Sequence, residues 1–239
     1  MKIIGLLGGT SWPSTPLYYS YLNELVAAKM GGHHSARIIL YSIDYHAIKS
    51  RYTEPGGWDE IPDLLREELL TLDRMGPDCI LICNNTLHKA YDMVADKGIA
   101  LGAHVVHLVV ATAREAQARD YKKLLLLGTK FTMEDGFFAK RLRFFGLDVD
   151  IPSEDDRAAI QEMQTAISAG RMDPAFRGRF KEMLSRYSGY DGLVLGCTEL
   201  PLVITADETS IPILNPIHIQ CAEAVKYAFS SGPKRGAIN

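Results

Sequence analysis

The sequence predicts an α/β protein of two similar lobes. Each lobe is a mainly parallel sheet flanked by helices, and the active site is expected in the cleft between them. Three observations carry this expectation. Apolar runs of strand length alternate with segments of helical spacing, the pattern of parallel strands joined by helical crossovers. The order strand, Gly-Thr turn, helix occurs twice, at Leu6-Leu7-Gly8-Gly9-Thr10 and at Leu126-Leu127-Gly128-Thr129. Two further apolar runs echo each other, Leu81-Ile82-Cys83-Asn84-Asn85-Thr86-Leu87-His88 and Leu193-Val194-Leu195-Gly196-Cys197-Thr198-Glu199-Leu200. Each stops in small polar residues and leads into a helix-like stretch. In open α/β sheets such strand ends are where ligands bind.

Taken in order, Ile3 to Leu7 is a buried strand, and a helix starts near Pro13 or Ser14, where proline suits a first turn. Ala36 to Ser42 is a second strand. Tyr52 to Gly57 is a loop by its Pro and Gly content, and Glu60 to Met75 is a helix by the spacing of Leu64, Leu65, Leu69, Leu70 and Leu72. Cys79 to Cys83 is the third strand. After Gly102 the pattern starts again. A short apolar run at Val105 to Leu108 precedes a helix at Ala111 to Arg119 and a strand at Lys123 to Leu127. Asp135 to Phe145 reads as a helix and Asp148 to Ile151 as a short strand. Asp155 to Ala169 and Pro174 to Tyr187 are helices, the first stopped by Gly170. Gly192 to Leu195 and Ile211 to Leu214 are strands, and Ile219 to Phe229 is the last helix. The tail Ser230 to Gly236 is polar and expected to be disordered. The lobes predicted are 1–100 with 215–239, and 101–214.

Composition narrows the function. A chain of 239 residues, 47% hydrophobic, is long enough for one large core or two small ones. Its formal net charge is -3 with no basic stripe, which argues against nucleic acid or an anionic membrane as partner. The N-terminus runs straight into a strand–turn pattern and does not read as a signal peptide, and no stretch approaches the ~20 apolar residues of a membrane span. The four cysteines, Cys79, Cys83, Cys197 and Cys221, form no Cys-x-x-Cys pair and have no histidine at ligand spacing, so no metal site is expected. Free thiols in a reducing cytoplasm are the expected state. Gly5-Leu6-Leu7-Gly8-Gly9 has neither the dinucleotide fingerprint nor a phosphate-loop lysine.

The candidate chemistry sits at the echoed strand ends. Cys197 is preceded by Gly196, which permits close approach, and followed by Thr198 and Glu199, whose hydroxyl and carboxylate can hold a substrate amine. At the matching point stands Asn84, an amide that hydrogen-bonds but exchanges no proton at neutral pH. If Asn84 faces the cleft, strand alternation turns Cys83 to the core unless a bulge intervenes. Thr10, Ser11, Asn85, Thr86, Thr129, Thr132 and Thr198 offer hydroxyls, amides and free backbone N–H groups at strand-to-helix turns, which suit carboxylates. N-capping also accounts for some of them. His88, near a helix start, could orient a carboxylate or relay a proton, or be a capped structural residue.

Gly5-Leu6-Leu7-Gly8-Gly9-Thr10-Ser11-Trp12, Asn84-Asn85-Thr86-Leu87-His88, Leu127-Gly128-Thr129-Lys130-Phe131-Thr132-Met133-Glu134 and Gly196-Cys197-Thr198-Glu199 occur in that order. Together they resemble the aspartate/glutamate racemase family, from about Lys2 to Phe229. The resemblance implies catalysis without pyridoxal phosphate or any other cofactor, an acidic amino acid or dicarboxylate as partner, a homodimer, and a last helix packed back on the first lobe. It also implies two cysteines facing each other across the substrate, one removing the α-proton and the other returning it. The second falls on Cys197 and the first on Asn84, so two-base racemisation is expected to be impaired or one-sided. A lysine many members carry in the segment matching Glu154 to Ile160 is replaced here, leaving Arg157, or Arg51 of the loop Lys49-Ser50-Arg51-Tyr52, to bind a side-chain carboxylate. Each of the two is equally a solvated surface charge. Two alternatives stay open: a single-cysteine decarboxylase-like enzyme of the same superfamily, and a non-catalytic dicarboxylate-binding paralogue.

Overall fold

The computed structural model describes residues 1–10 and 12–232, so Ser11 and the tail from Pro233 onward lie outside the described residues. Two compact units result: Met1–Leu108 together with the chain from Gln220 onward, and Val109–Ile219.

The first unit holds four strands, β1 (Ile4–Gly8), β2 (Ile38–Ser42), β3 (Cys79–Ile82) and β4 (His104–Val105), in the order β2-β1-β3-β4. All pairings are parallel, with Leu7 opposite Tyr41 on one side and Ile82 on the other. β1 and β3 are buried throughout, as strands covered on both faces must be, which is why they read as continuous apolar runs. Helices α1 (Thr15–Met30), α2 (His46–Ser50), α3 (Gly57–Arg74) and α4 (Leu87–Asp96) connect them. α3 buries the stripe Ile61, Leu65, Leu69, Leu72, which packs with Leu7, Ile80, Ile82, Leu87 and Ala90.

The second unit repeats the plan. Strands β5 (Lys123–Leu127), β6 (Asp148–Asp150), β7 (Gly192–Leu195) and β8 (Ile213–Leu214) lie in the order β6-β5-β7-β8, again all parallel, with Leu127 opposite Leu195. The helices are α5 (Leu108–Ala118), α6 (Lys130–Glu134), α7 (Phe137–Phe144), α8 (Glu154–Ser168), α9 (Ala175–Leu184) and α10 (Pro216–Ala228), the last running on into the first unit. Its core joins Leu125, Leu127, Leu193 and Leu195 to Ile160 and Met163 of α8 and Phe180 of α9. Among the described residues no helix is long and apolar enough to cross a membrane.

In both sheets the strand order reverses between the two central strands. That topological switch opens a crevice outside their carboxyl ends, the usual ligand position in such sheets. It places Gly8–Thr10 and Cys83–Asn85 at one crevice, and Gly128–Thr129 and Gly196–Glu199 at the other.

Several elements differ from expectation. The run Val105 to Leu108 does not open the second sheet: only His104 and Val105 form a strand, and it completes the first. The Asp73 carboxylate holds it there by accepting from the amides of Gly102 and Ala103 at 3.2 and 2.9 Å. Lys49 and Ser50, expected in a loop, close the short helix α2. The helix expected at Asp135 to Phe145 is α7, which starts only at Phe137 because Gly136 before it has φ 85°, and the short helix α6 at Lys130–Glu134 precedes it. After the second echo there is only a single 3-10 turn, Leu200–Leu202. Ser230, expected to be disordered, is anchored by a 3.0 Å bond from Lys2 Nζ.

Candidate active site

The two strand ends share a backbone frame. The amide of Cys83 donates to the carbonyl of Leu7 at 3.0 Å, and that of Gly196 donates to the carbonyl of Leu127 at 2.6 Å. One residue further on stand Asn84 and Cys197. Three residues beyond those, Leu87 opens α4 and Leu200 opens the 3-10 turn. Position 84 is therefore the counterpart of position 197.

Tight packing shapes the second frame. A Cβ on Gly196 would stand 3.0 Å from the Leu127 carbonyl oxygen and 3.2 Å from Thr132 Cγ2. Cys197 is 5% exposed, at the rim of its unit's core. Its thiol donates to Glu199 Oε2 at 2.6 Å, and the Thr198 hydroxyl donates to the same oxygen at 2.8 Å. Burial pushes the thiol well above its ordinary value, and the Glu199 carboxylate pushes it further. The backbone N–H groups of Glu199 and Leu200 pull the other way, since both aim at the sulfur and favour thiolate. Glu199 is thus a hydrogen-bond partner of the thiol, and its Oε2 is taken before any amine arrives. Thr129 caps α6, accepting from the Thr132 amide at 3.1 Å, with the two hydroxyls 3.0 Å apart.

At the first strand end the asparagine is wired into the scaffold. Asn84 Oδ1 accepts from the Leu87 amide at 3.0 Å, the counterpart of the Leu200 amide that faces Cys197. Asn84 Nδ2 donates to the Thr10 carbonyl at 2.8 Å and lies 3.5 Å from the Tyr45 hydroxyl. Thr10, buried, donates its hydroxyl to the Cys83 carbonyl at 3.1 Å. Cys83 is wholly buried with its sulfur 3.9 Å from the Leu81 carbonyl, and burial pushes its thiol far up. The alternation holds, so Cys83 faces the core. Asn85 differs from its neighbours. It is 7% exposed, yet neither its Nδ2 nor its Oδ1 has a hydrogen-bond partner among the described residues. Each such buried polar atom costs about 1–3 kcal/mol unless something else satisfies it. Thr86, partly exposed, is the residue before α4.

His88 is 0% exposed, with its ring centroid 4.4 Å from that of His107, whose Nε2 is 3.2 Å from Asp92 Oδ1. It is the buried member of a histidine–carboxylate cluster whose other members, His107 and Asp92, are partly exposed. Neither candidate arginine is uncommitted. Arg51 is paired with Glu60 at 2.7 Å and Glu54 at 3.2 Å. Arg157 donates to Glu134 and to the Pro152 carbonyl, both at 2.8 Å. Among the described residues no three of His, Cys, Asp and Glu converge as metal ligands.

A cluster that the sequence did not flag lies beside Asn84. Tyr45 follows β2 by three residues, and its hydroxyl is hydrogen-bonded to that of Tyr52. Tyr52 stacks on Trp58 at 5.2 Å, with Lys49 4.7 Å above the Tyr52 ring and Lys89 4.1 Å above that of Trp58. The signal available was positional: Tyr45 follows the end of β2 as Gly9 and Thr10 follow the end of β1.

Residues 7–224 match the family model for Asp/Glu/hydantoin racemases. A solved structure from Yersinia pestis, described as a candidate Asp/Glu racemase, is 35% identical, with a TM-score of 0.87 over 96% of this chain and 100% of that one. An aspartate racemase homologue from Pyrococcus horikoshii OT3 is 28% identical, with a TM-score of 0.81 over 96% of this chain and 100% of that one. The aspartate racemase of Picrophilus torridus, at 22% identity, shares the fold with a TM-score of 0.76 over 95% of this chain and 94% of that one.

Proposed function

We propose that this chain, which belongs to the Asp/Glu/hydantoin racemase family, is a cofactor-independent amino-acid racemase acting on aspartate- or glutamate-like substrates. Cys197 is its main acid/base, and Asn84 stands in place of the usual partner cysteine.

The observation that carries this is the Cys197–Glu199 contact of 2.6 Å at the switch-point strand end. A thiol is a useful base only as thiolate. Glu199 accepts the thiol's hydrogen bond and so fixes the sulfur, and the amides of Glu199 and Leu200 are placed to hold the charge once the proton is lost to solvent. The thiolate then takes the α-proton, and as thiol it can return one to the same face. Asn84 cannot do the same, because its oxygen and nitrogen are both engaged and an amide does not titrate near neutrality.

Substrate binding draws on Asn85, Thr86, Thr198 and the backbone donors at the helix starts. The amide of Asn85, without a partner among the described residues, supports this role. It needs a donor and an acceptor together, and an α-amino acid presents both, as ammonium and carboxylate. With Arg51 and Arg157 committed, specificity for a side-chain carboxylate rests on donors other than these two. The four buried free cysteines suit a reducing cytoplasm, and sedimentation would check the homodimer implied by family resemblance.

The test is α-proton exchange followed by proton NMR in deuterated water, with both enantiomers of aspartate and glutamate. Exchange by the native protein that disappears in Cys197→Ala is the expected result. Exchange with none of the four would sink the acidic amino-acid racemase assignment.

A further inference from the structure

The two sheets repeat one plan, so their outer strands can be compared. β2 and β6 hold the same place, each beside the strand that opens its sheet. β6 is guarded. It is Asp148-Val149-Asp150, and its one apolar side chain is wholly buried. Asp150 is bridged by Lys123 at 3.3 Å and accepts from the Tyr190 hydroxyl at 3.0 Å, while the Arg143 guanidinium donates to the Val149 carbonyl. Shortness, charge and a covered backbone are ordinary ways to keep an edge strand from pairing with another chain. β2 has none of them. Ile38-Ile39-Leu40-Tyr41-Ser42 carries no charge and no proline, and its register against β1 runs from Ile38 to Ser42 without a bulge. The Ile4 amide donates to the Arg37 carbonyl, and the Ile43 amide donates to the Gly8 carbonyl. The odd-numbered residues of β2 therefore face β1. Ile38, Leu40 and Ser42 turn their backbone N–H and C=O groups outward.

Beside that edge runs an apolar groove of about 310 Å³, lined by Trp12, Thr15, Pro16, Tyr19, Leu40 and Ser42. Trp12 is 75% exposed, Tyr19 54% and Leu40 48%. We propose that this edge and groove are the surface through which two copies of the chain pair, β2 lying antiparallel to its own copy about a twofold axis at Leu40. Leu40 then exchanges both backbone bonds with the partner subunit's Leu40, and Ile38 lies opposite the partner's Ser42. The two four-stranded sheets join into one. Both grooves open on the same face of the joined sheet. The pairing is independent of the racemase function proposed above.

Three features select a second copy as the occupant. A twofold interface sets residues near the axis against themselves, so a charge there would meet its like. Neither β2 nor the groove lining carries one. The flanking charges are complementary in this register. Arg37 precedes β2 and Asp44 follows its end by two residues, both exposed, so each copy's Arg37 comes toward the partner subunit's Asp44. The area is also sufficient. Trp12, Tyr19 and Leu40 leave about 400 Å² per copy in water at those exposures. Covering it on both copies, with the strand edges and exposed Pro16, passes the roughly 1,000 Å² that a specific interface needs.

The experiment is sedimentation over a range of concentrations for native protein, Leu40→Lys, Tyr19→Glu and the control Phe144→Glu, with circular dichroism to show that each is folded. Phe144 is exposed in the second unit, far from β2 in sequence. Native protein should be a dimer. Leu40→Lys places like charges on the axis and should weaken pairing by about 100-fold or more. Tyr19→Glu changes an exposed residue of α1, which spares the core, and should weaken pairing about tenfold. Phe144→Glu should leave it at native strength. Leu40→Cys tests the register. Paired Cα atoms of this kind stand about 5.5 Å apart, within reach of a disulfide, so diamide should link two copies covalently. Phe144→Cys should give no such link, nor should native protein, whose cysteines are buried. A native monomer overturns the proposal and leaves the groove to a different protein or a small apolar ligand. A dimer that Leu40→Lys and Tyr19→Glu both leave at native strength overturns it too. A dimer without the Leu40→Cys link overturns the strand register and the proposal with it. α-Proton exchange judges the racemase assignment separately in each case.

Discussion

Asn84 and Cys197 stand at the same distance from their strands, and each meets the backbone amide three residues on, Leu87 or Leu200. The difference lies in what meets that amide. At the first strand end it is a neutral carbonyl oxygen, so the interaction is finished: a cap, with the other half of the amide tied to Thr10. At the second it is a sulfur whose proton already points at a carboxylate. One frame therefore gives a scaffold joint in one unit and, in the function proposed, a proton carrier in the other. The helix-start geometry tolerates both because a capping position asks only for an acceptor.

Substitutions at these two positions break or sharpen the contrast. Cys197→Ala removes the proposed proton carrier and should lower α-proton exchange by about 10³-fold, within the usual span for a general acid/base, as NMR would show. Asn84→Cys gives each strand end a thiol and, on the function proposed, should raise racemisation by about 10- to 100-fold in a chiral assay. Failure to raise it would mean that the first strand end is closed to chemistry for reasons beyond the missing thiol. The raised Cys197 thiol gives a third expectation. Below its folded pKa the thiolate fraction grows with pH, so exchange should climb about tenfold per pH unit above neutrality, with no plateau by pH 9. A plateau near neutrality would show that Glu199 takes the thiol proton without net loss to solvent. The smallest effect concerns the frame. A Cβ at Gly196 meets the Leu127 carbonyl oxygen at 3.0 Å and Leu126 Cδ1 at 3.1 Å, so Gly196→Ala should cost about 1–3 kcal/mol in thermal unfolding.

The fully buried central strands could be read closely. Lys123–Leu127 and Gly192–Leu195 come out at the expected residues, because a parallel strand covered on both faces is one unbroken apolar run. The equivalence of Asn84 and Cys197 was readable for the same reason, since both follow such runs. Elements set by distant partners were not. The two-residue strand His104–Val105 depends on Asp73, about thirty residues away in sequence, holding the backbone that leads into it. Arg51 looks like a ligand clamp until folding brings Glu60 to it. Tyr45 carries no local motif: its place beside Asn84 is created when β2 and β3 flank β1, and no spacing rule reports that.

The contrast between the two strand ends is tested most directly by the ratio of α-proton exchange to inversion, measured on native protein with each enantiomer separately in deuterated water. One enantiomer should exchange its α-proton many times faster than it inverts, with Asn84→Cys bringing the ratio toward one. A native ratio near one for both enantiomers would contradict the account, because it would require two proton carriers of equal strength where only Cys197 has been assigned that strength.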